Sequence, residues 1–332
     1  MANIFLTHPP DVLPIFYGEK AFKLLNKLGN VRTNPKKEDL TFDELIGLSR
    51  GCEIIVSFRQ TPGSPELFDN SPDLAAFLRC AIDIRNIDVE AASANGILVT
   101  QAKPHFTAAT AETALALMLD IARHITECAL QYRAGKEPQI GMGCQLAGNI
   151  LGVVGYGRIA RHLCDIALAM GMKVMVHDPY ANIERRDIQQ VDFETVLRQG
   201  DFVLPLAAAT EETENLFNET AFKLMKSSAF FINVSRGNLV DEDALETALD
   251  EKRIAGAAMD VGRGADQKPS HHLARRNDVI ATPHLGGATP ESALGQAMDS
   301  VEQVTAIVQG KIPEGAVNAD QATRLARFQR SG

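Results

Sequence analysis

The sequence lacks the features that mark membrane, secreted and nucleic-acid-binding proteins. No apolar run approaches the roughly 20 residues that a bilayer-spanning helix needs. The first residues, MANIFLTHPP, have no basic start and too short an apolar stretch for a signal peptide. Lysine and arginine form no cluster, and the formal net charge is -9, which argues against binding to nucleic acid or an anionic membrane. We therefore expect a cytoplasmic protein with neither kind of partner.

Cysteine and metal-ligand clusters are also scarce. The five cysteines are scattered and include no CxxC pair, which argues against a disulfide framework or a zinc site and fits reduced thiols. Several histidines have no nearby set of ligands, namely His8, His105, His124 and His162. We therefore expect no metal.

The pattern that is present is that of an α/β protein. A chain of 332 residues is long enough for about two domains. From residue 150 onward, short apolar runs alternate with helical patterns; the runs are NILGVV, KVMVHD, DFVLPLA, AFFINVS, RIAGAAMD and NDVIATP. Such alternation predicts a parallel sheet covered by helices on both faces.

The first hundred residues repeat this pattern more weakly. IFLTH, CEIIVSF and GILVTQ resemble strands, whereas EKAFKLLNKLG, PDLAAFLR and VEAASANG have helical patterns. An alanine-rich helix is predicted over about residues 107–132. The last long helical pattern, PESALGQAMDSVEQVTAIVQG, has no obvious place in the second sheet, and we expect it to fold back on the first.

The most informative stretch is LGVVGYGRIARHLCDIALAMGMKVMVHDP, residues 151–179. Strand, glycines, helix and second strand follow in the order of a dinucleotide-binding site. Gly155 permits the tight turn, Gly157 lets the backbone approach a pyrophosphate, and Ala160 is small enough for close helix–strand packing. The helix N-terminus favours phosphate through its N–H groups and dipole, and Arg158 adds positive charge there.

An aspartate at the end of the second strand indicates which cofactor binds. Asp178 follows the glycines by about 20 residues, where a carboxylate accepts hydrogen bonds from the adenosine ribose. It would also repel the 2′-phosphate of NADP. Arg185 and Arg186 follow nearby and are able to bind a phosphate, but the aspartate favours NAD.

Three later segments place polar side chains directly after apolar strands, where open α/β sheets bind ligands. Arg236 follows FFINVS, and its guanidinium can hold a carboxylate with two parallel hydrogen bonds. Asp260 follows AGAAM. His284 follows VIATP and precedes two glycines; a histidine titrates near neutrality and can exchange a proton with a substrate oxygen.

These motifs together resemble the D-2-hydroxyacid dehydrogenase family, which includes phosphoglycerate dehydrogenases, glyoxylate/hydroxypyruvate reductases and formate dehydrogenase. The resemblance is dense over about residues 111–310, through LGVVGYGRIA, MKSSAFFINVSRGNLVDEDAL and TPHLGGATP, and thinner in RNIDVEAASANGILV. It implies two doubly wound parallel-sheet lobes. These are a flavodoxin-like substrate domain over residues 1–103 and 287–332 and a Rossmann-type NAD-binding domain over residues 104–286.

The resemblance also implies roles for individual residues. Arg236 matches the arginine that binds the substrate's carboxylate and carbonyl, and His284 matches the general acid/base. Asp260 matches the residue that holds the carboxamide end of the nicotinamide. The remaining positions implied at the cofactor are Ile159, Leu206, Val234, Ser235, Gly286 and Gly287.

The sequence departs from the family's pattern beside the histidine. The family has Asp-Val-Phe-x-x-Glu-Pro, whose glutamate orients and charges the histidine, whereas this chain has DVGRGADQKPS. Ala265 occupies the glutamate's slot, and the nearest carboxylate is Asp266. Either the glycine-containing loop shifts to deliver Asp266, which we include among the expected catalytic residues, or His284 has another partner or none.

A second departure affects substrate recognition. The family's GxGxDNID loop, which approaches the substrate carboxylate, is here AIDIRNID. Asp83 replaces a glycine and Arg85 replaces an acid. Asp83 therefore either repels a small anion, pairs with Arg85 or Arg59, or binds a cationic or hydroxyl group. We expect Arg59 and Asp83 to contact the substrate.

The sequence therefore predicts an enzyme that transfers a hydride between NAD(H) and C2 of a small 2-hydroxy or 2-oxo acid, with a phosphoglycerate-like substrate as one option. Two alternatives stay open: a non-catalytic NAD-binding interaction or sensor protein, and a formate- or phosphite-like dehydrogenase. The family resemblance also predicts a homodimer formed through the cofactor domain.

Overall fold

The computed structural model describes residues 1–139 and 141–329. The strands are β1 (Ala2–Leu6), β2 (Gly29–Thr33), β3 (Ile54–Ser57), β4 (Ala76–Arg79), β5 (Leu98–Thr100), β6 (Ile150–Val154), β7 (Lys173–His177), β8 (Ile188–Gln190), β9 (Phe202–Pro205), β10 (Phe230–Asn233), β11 (Gly256–Met259) and β12 (Val279–Ala281). All of the pairings between these strands are parallel.

The helices cover both faces of two sheets. They are α1 (Leu13–Phe16), α2 (Gly18–Leu28), α3 (Phe42–Ser49), α4 (Pro65–Asp69), α5 (Val89–Ala94), α6 (Thr107–Arg123), α7 (Ile125–Arg133), α8 (Arg158–Ala169), α9 (Phe193–Gln199), α10 (Glu219–Leu224), α11 (Glu242–Asp250), α12 (His271–Ala274), α13 (Pro290–Val308) and α14 (Ala326–Gln329).

The chain divides into two compact units. Unit 1 comprises Met1–His105 and Thr289–Gly332, and unit 2 comprises Phe106–Ala288. The α/β class with two doubly wound parallel-sheet lobes is confirmed: unit 1 contains a five-stranded sheet and unit 2 a seven-stranded sheet.

Unit 1 has the strand order β2-β1-β3-β4-β5, which is the flavodoxin-like order. One face of its sheet packs against α2 and α13 through a cluster that includes Leu25, Val56 and Val304, and the other face buries Phe68 and Phe77. The last long helix does return to this sheet. Because both faces are covered, β1, β3, β4 and β5 are almost wholly buried, whereas in the edge strand β2 only the first residue is buried.

Unit 2 has the strand order β12-β11-β10-β9-β6-β7-β8. Counted along the chain from β6, this is the Rossmann order with one further strand at the edge. The strand order reverses beside β6, between β7 and β9. In such sheets, ligands bind outside the carboxyl ends of the strands at this switch point.

Two local predictions were wrong. PDLAAFLR was expected to be a helix, but Ala76–Arg79 form the buried strand β4. Its four residues are all buried and pair with strands on both sides, so tertiary packing overrides the helical preference of alanine and leucine. The predicted helix over 107–132 is in fact α6 and α7. They are separated by His124, whose left-handed backbone (φ 55°) breaks the hydrogen-bonded ladder.

Candidate active site

The glycine turn after β6 has the geometry that a dinucleotide requires. Gly155 has φ +99°, and a Cβ there would lie 2.4 Å from the backbone nitrogen of Ala207, so only glycine fits. Gly157 is the N-cap of α8 and has no side-chain cap. A Cβ on Gly157 would meet nothing within 4 Å. The N-terminus of α8 therefore combines open space with N–H groups, and these residues fit the pyrophosphate of NAD.

Asp178 lies directly after β7 and is bound to the same turn. Its Oδ2 accepts a hydrogen bond from Tyr156 N at 2.7 Å, and its Oδ1 accepts from Tyr180 N at 2.8 Å and Ala181 N at 2.9 Å. Partial burial acts to raise the pKa of Asp178, but the three N–H donors outweigh it and hold the pKa below its usual value. The side chain is thus an ionised acceptor beside the glycine turn.

One of the two nearby arginines that could have favoured NADP, Arg185, is engaged elsewhere. Arg185 donates to Asp187 through Nε at 3.0 Å and Nη2 at 2.7 Å, and its Nη1 donates to Asp165. These bonds raise the pKa of Arg185 further above its usual value. Its charge is therefore balanced by two carboxylates, whereas Asp178 remains available to a ribose.

Asp260 organises the turn that carries His284. Its carboxylate is buried and accepts from Thr282 Oγ1 at 2.6 Å, Leu285 N at 2.8 Å and Gly286 N at 2.8 Å. These three donors lie on both sides of His284 in the sequence. His284 itself has φ +61° and donates its N–H to Thr282 O at 3.0 Å.

The partner that the structure gives the His284 ring is a main-chain atom. Nδ1 of His284 lies 2.9 Å from the carbonyl oxygen of Asp266. A carbonyl only accepts hydrogen bonds, so Nδ1 carries the proton and donates it. Nε2 is then the ring nitrogen without a proton in this neutral tautomer. The loop does reach His284, and this contact uses the backbone of Asp266 instead of its carboxylate.

Arg236 follows β10 in a turn that is fixed by a buried amide. The side chain of Asn233 donates to Arg236 O at 3.0 Å and accepts from Ser235 N at 3.0 Å, a contribution that was not predicted from the sequence. Arg236 Nη1 donates to Ser235 O at 2.7 Å. A Cβ on Gly237 would lie 2.2 Å from the backbone of Gly262, so this turn adjoins the loop that leads to Asp266.

The remaining predicted cofactor residues also lie at the carboxyl edge of the unit 2 sheet. Ile159 is in the first turn of α8, whereas Leu206, Val234, Ser235, Gly286 and Gly287 follow strand ends. Because β6, β9, β10, β11 and β12 are parallel, their carboxyl ends share one edge. Unit 2 thus brings together the glycine turn, Arg236, Asp260 and His284.

In unit 1, the two predicted substrate residues lie on loops after neighbouring strands. Arg59 follows β3, and Asp83 follows β4. Asp83 forms a bidentate pair with Arg85, in which Arg85 Nε donates to Asp83 Oδ1 at 2.9 Å and Arg85 Nη2 donates to Asp83 Oδ2 at 2.5 Å. Of the options left open by the sequence, pairing with Arg85 is therefore present in the structure. Arg85 has its pKa raised by this pair.

An arginine that sequence reasoning did not single out ties these loops together. Arg79 is fully buried and donates to Phe58 O at 2.5 Å, Thr61 O at 2.9 Å and Asn86 Oδ1 at 2.6 Å. Burial lowers the pKa of Arg79 to about 10. It acts as an internal brace for the loops that carry Arg59 and Asp83.

Neither a metal-ligand cluster nor a membrane-spanning helix occurs among the described residues. Within the ranges 1–139 and 141–329, no group of three or more His, Cys, Asp or Glu side chains is placed to hold a metal ion. No helix in the same ranges is both long and apolar enough to cross a membrane.

Comparison with known proteins identifies the family. The model of the D-isomer specific 2-hydroxyacid dehydrogenase NAD-binding domain matches residues 115–286. A glyoxylate reductase of Aeropyrum pernix is 32% identical over 96% of this chain and 96% of its own length. The chain belongs to the D-isomer specific 2-hydroxyacid dehydrogenase family.

Further comparisons agree with this membership. A D-3-phosphoglycerate dehydrogenase of Synechocystis is 35% identical over 85% of this chain, although the match spans only 51% of that relative. The crystal structure of the TT0316 protein from Thermus thermophilus has a TM-score of 0.83 and 29% identity, and covers 95% of this chain and 99% of its own. This dehydrogenase is an oxidoreductase that uses NAD and acts on 2-hydroxy acids.

The geometry of Asp178 leads to a test of cofactor choice. Asp178→Ala should reduce the preference for NADH over NADPH by about tenfold or more, because hydrogen bonds to a charged group are worth about 1.5–3 kcal/mol. The measurement is kcat/KM with each cofactor. Gln190→Ala is the control: Gln190 donates to Asp178 O and Ala181 O, so its loss loosens the loop but keeps the carboxylate. An unchanged preference in Asp178→Ala would show that the ribose is bound elsewhere.

Proposed function

We propose that this dehydrogenase reduces a small, unphosphorylated 2-oxo acid such as glyoxylate or hydroxypyruvate. The observation that carries the proposal is the His284 ring, which is fixed at Nδ1 by the Asp266 carbonyl and leaves Nε2 for proton exchange. A relative named glyoxylate reductase matches this chain along 96% of both lengths, which supports the substrate class.

Charge in unit 1 supports an unphosphorylated substrate over phosphohydroxypyruvate. A phosphate ester adds close to two negative charges and usually needs arginine or lysine partners. Here Arg79 is committed to three protein acceptors and Arg85 to Asp83. We propose that unit 1 is the substrate domain and that its residues Arg59 and Asp83 contact the substrate.

The reaction follows from the groups in unit 2. Arg236 binds the substrate carboxylate and polarises the 2-oxo group through its planar guanidinium. For the reduction, His284 acts as an imidazolium with protons on both ring nitrogens, and Nε2 donates its proton to the carbonyl oxygen as this becomes a hydroxyl. The reverse reaction uses the unprotonated Nε2 of the neutral Nδ1–H ring as the base. The glycine turn and Asp178 would hold NAD(H), which when bound would supply the hydride to C2 or receive it from there. Asp260 holds the turn of His284, and we propose that it also reaches the carboxamide end of the nicotinamide.

The conservative variant Arg236→Lys tests the substrate assignment. Lysine keeps the charge but loses the fork that holds carboxylate and carbonyl together, so kcat/KM should fall about 100-fold with little change in NADH affinity. The assay is NADH oxidation with glyoxylate, hydroxypyruvate, pyruvate, phenylpyruvate, 2-oxoglutarate and 3-phosphohydroxypyruvate. Arg275→Lys, at an exposed position, is the control and should match wild type.

Two results would overturn this assignment. Native kcat/KM in Arg236→Lys would make Arg236 a scaffold residue. The highest kcat/KM on 3-phosphohydroxypyruvate would show that the enzyme acts on a phosphorylated substrate.

We also propose that the enzyme is a homodimer through α7 of unit 2. α7 has no buried residue, and its side chains Ile125, Leu130 and Tyr132 are 55%, 56% and 61% exposed. Apolar side chains grouped on one exposed helix are typical of a protein interface.

Light scattering on a size-exclusion column tests the dimer. The wild-type mass should be twice the 36.0 kDa of the chain, and the double variant Ile125→Asp/Leu130→Asp should be monomeric because charges do not bury without partners. Ile15→Asp, at a comparably exposed apolar position in unit 1, should stay dimeric. A monomeric wild type would exclude the proposal.

A cytoplasmic location is proposed as well. All five cysteines are free, and buried Cys80 and Cys164 have pKa values raised by burial to about 12. Thiols kept reduced and protonated suit a reducing compartment. Fractionation of the source cells tests this location.

A further inference from the structure

The loop that replaces the family's usual glutamate segment is anchored in a way that the catalytic assignment does not use. We propose that Glu242, Arg263 and Ser270, here called the loop clamp, are positioning residues that set the tautomer and orientation of His284 through the Asp266 carbonyl. This inference rests on the proposed function for its kinetic consequence only.

The first step is the conformation of the loop tip. Asp266 and Gln267 both have left-handed backbones, with φ of 56° and 57°. A left-handed backbone conformation costs about 1 kcal/mol or more in a residue other than glycine, and it persists only where the surrounding structure imposes it. These angles aim the Asp266 carbonyl at His284 Nδ1, so a relaxed loop would aim it elsewhere.

The second step is the hydrogen bonding within the loop. Gly262 N donates to Gln267 O at 2.9 Å, and Gly264 N donates to Lys268 O at 2.9 Å. Gln267 N donates to Gly264 O at 3.0 Å. These bonds close the tip into a compact turn but do not attach it to the rest of unit 2.

Glu242 makes that attachment at both ends of the loop. It lies in the first turn of α11, is 7% exposed, and accepts from Arg263 N through Oε1 at 2.8 Å. Its Oε2 accepts from Ser270 Oγ. One buried carboxylate thus holds the residues on either side of the tip, and a negative charge is favoured at this helix N-terminus.

Arg263 also anchors the N-terminal end of the loop through its side chain. Its Nε donates to Val240 O at 3.0 Å, and its Nη2 donates to Asn215 Oδ1 at 2.5 Å and Glu214 Oε1 at 2.8 Å. Arg263 therefore joins the loop to the segments that precede α10 and α11. Together, the three clamp residues hold both ends of the loop that contains the two left-handed residues.

The test uses two variants of similar size at one position. Glu242→Gln keeps an acceptor for Arg263 N and gives Ser270 a donor, whereas Glu242→Leu removes both connections. Long-range ¹H–¹⁵N NMR of the imidazole reports which nitrogen of His284 carries the proton, in the full chain and without substrate. Wild type and Glu242→Gln should show Nδ1–H, and Glu242→Leu should show a mixture of tautomers.

Kinetics supply the second readout. Glu242→Leu and Arg263→Ala should lower kcat by about 10- to 100-fold, the usual cost of removing a group that orients a reacting side chain. KM and the NADH dissociation constant should change by no more than about twofold. Arg276→Ala is the control: it removes an arginine bonded to Asp250 and Asp278, so it should leave the tautomer of His284 unchanged.

Asp266→Asn separates the backbone from the side chain. Asparagine tolerates the left-handed region and keeps the main-chain carbonyl, so His284 should keep its Nδ1–H tautomer in this variant. Loss of Nδ1–H in Asp266→Asn would assign the partner to the carboxylate and overturn the proposal. If Glu242→Leu fails to fold, Ser270→Ala is the substitute, because it removes one of the two connections. It should also give a mixture of His284 tautomers, with a smaller loss of Nδ1–H.

The clamp and the proposed function fail in different ways. Nδ1–H retained in Glu242→Leu, Arg263→Ala and Ser270→Ala would refute the clamp, whatever the substrate. Absence of wild-type activity on every 2-oxo acid would refute the proposed function while leaving the NMR test of the clamp intact.

Discussion

The buried carboxylate of Asp260 is the constraint on which the active site depends. It binds Thr282, Leu285 and Gly286 and so holds His284 in the left-handed region. That conformation costs about 1–2 kcal/mol, whereas each hydrogen bond to a charged group contributes about 1.5–3 kcal/mol. Three such bonds outweigh the strain, so the turn is stable and the ring is presented at a fixed place.

The fold explains why this constraint can serve catalysis. All strands of unit 2 are parallel, so the residues that follow β6, β10, β11 and β12 meet at one edge of the sheet. The glycine turn, Arg236, Asp260 and His284 follow these four strands in turn. A short turn after each strand is therefore enough to fix each of these residues, and the positions of the parallel strands set the distances between them.

Much of this could be predicted from the sequence because the signals are local. A polar residue directly after an apolar strand marks the carboxyl edge of a parallel sheet, and this applies to Asp178, Arg236, Asp260 and His284. The strand β4 was missed because its alanine and leucine prefer helices, and only its burial between two strands decides otherwise.

The sequence indicated Asp266 as a partner of His284 through its carboxylate, but the atom in contact with the ring is the main-chain carbonyl. Every residue has a carbonyl, so no side-chain pattern predicts this contact. The loop clamp could not be predicted from the sequence either. Glu242 and Arg263 are 21 residues apart, and the rest of α11 and all of β11 lie between them in the chain. Similarly, the pairing of Asp83 with Arg85 was one of several options that the sequence left open, and the buried Arg79 gave no signal.

The central claim is that His284 is the proton donor in the reduction of a 2-oxo acid. Stopped-flow measurement of a single turnover of NADH with glyoxylate or hydroxypyruvate tests it, with His284→Asn as the variant. Asparagine keeps the preference for the left-handed backbone but does not donate a proton as an acid. NADH oxidation should slow by about 100- to 10,000-fold while NADH binding stays unchanged. A His284→Asn enzyme that oxidises NADH at the wild-type rate would contradict the account.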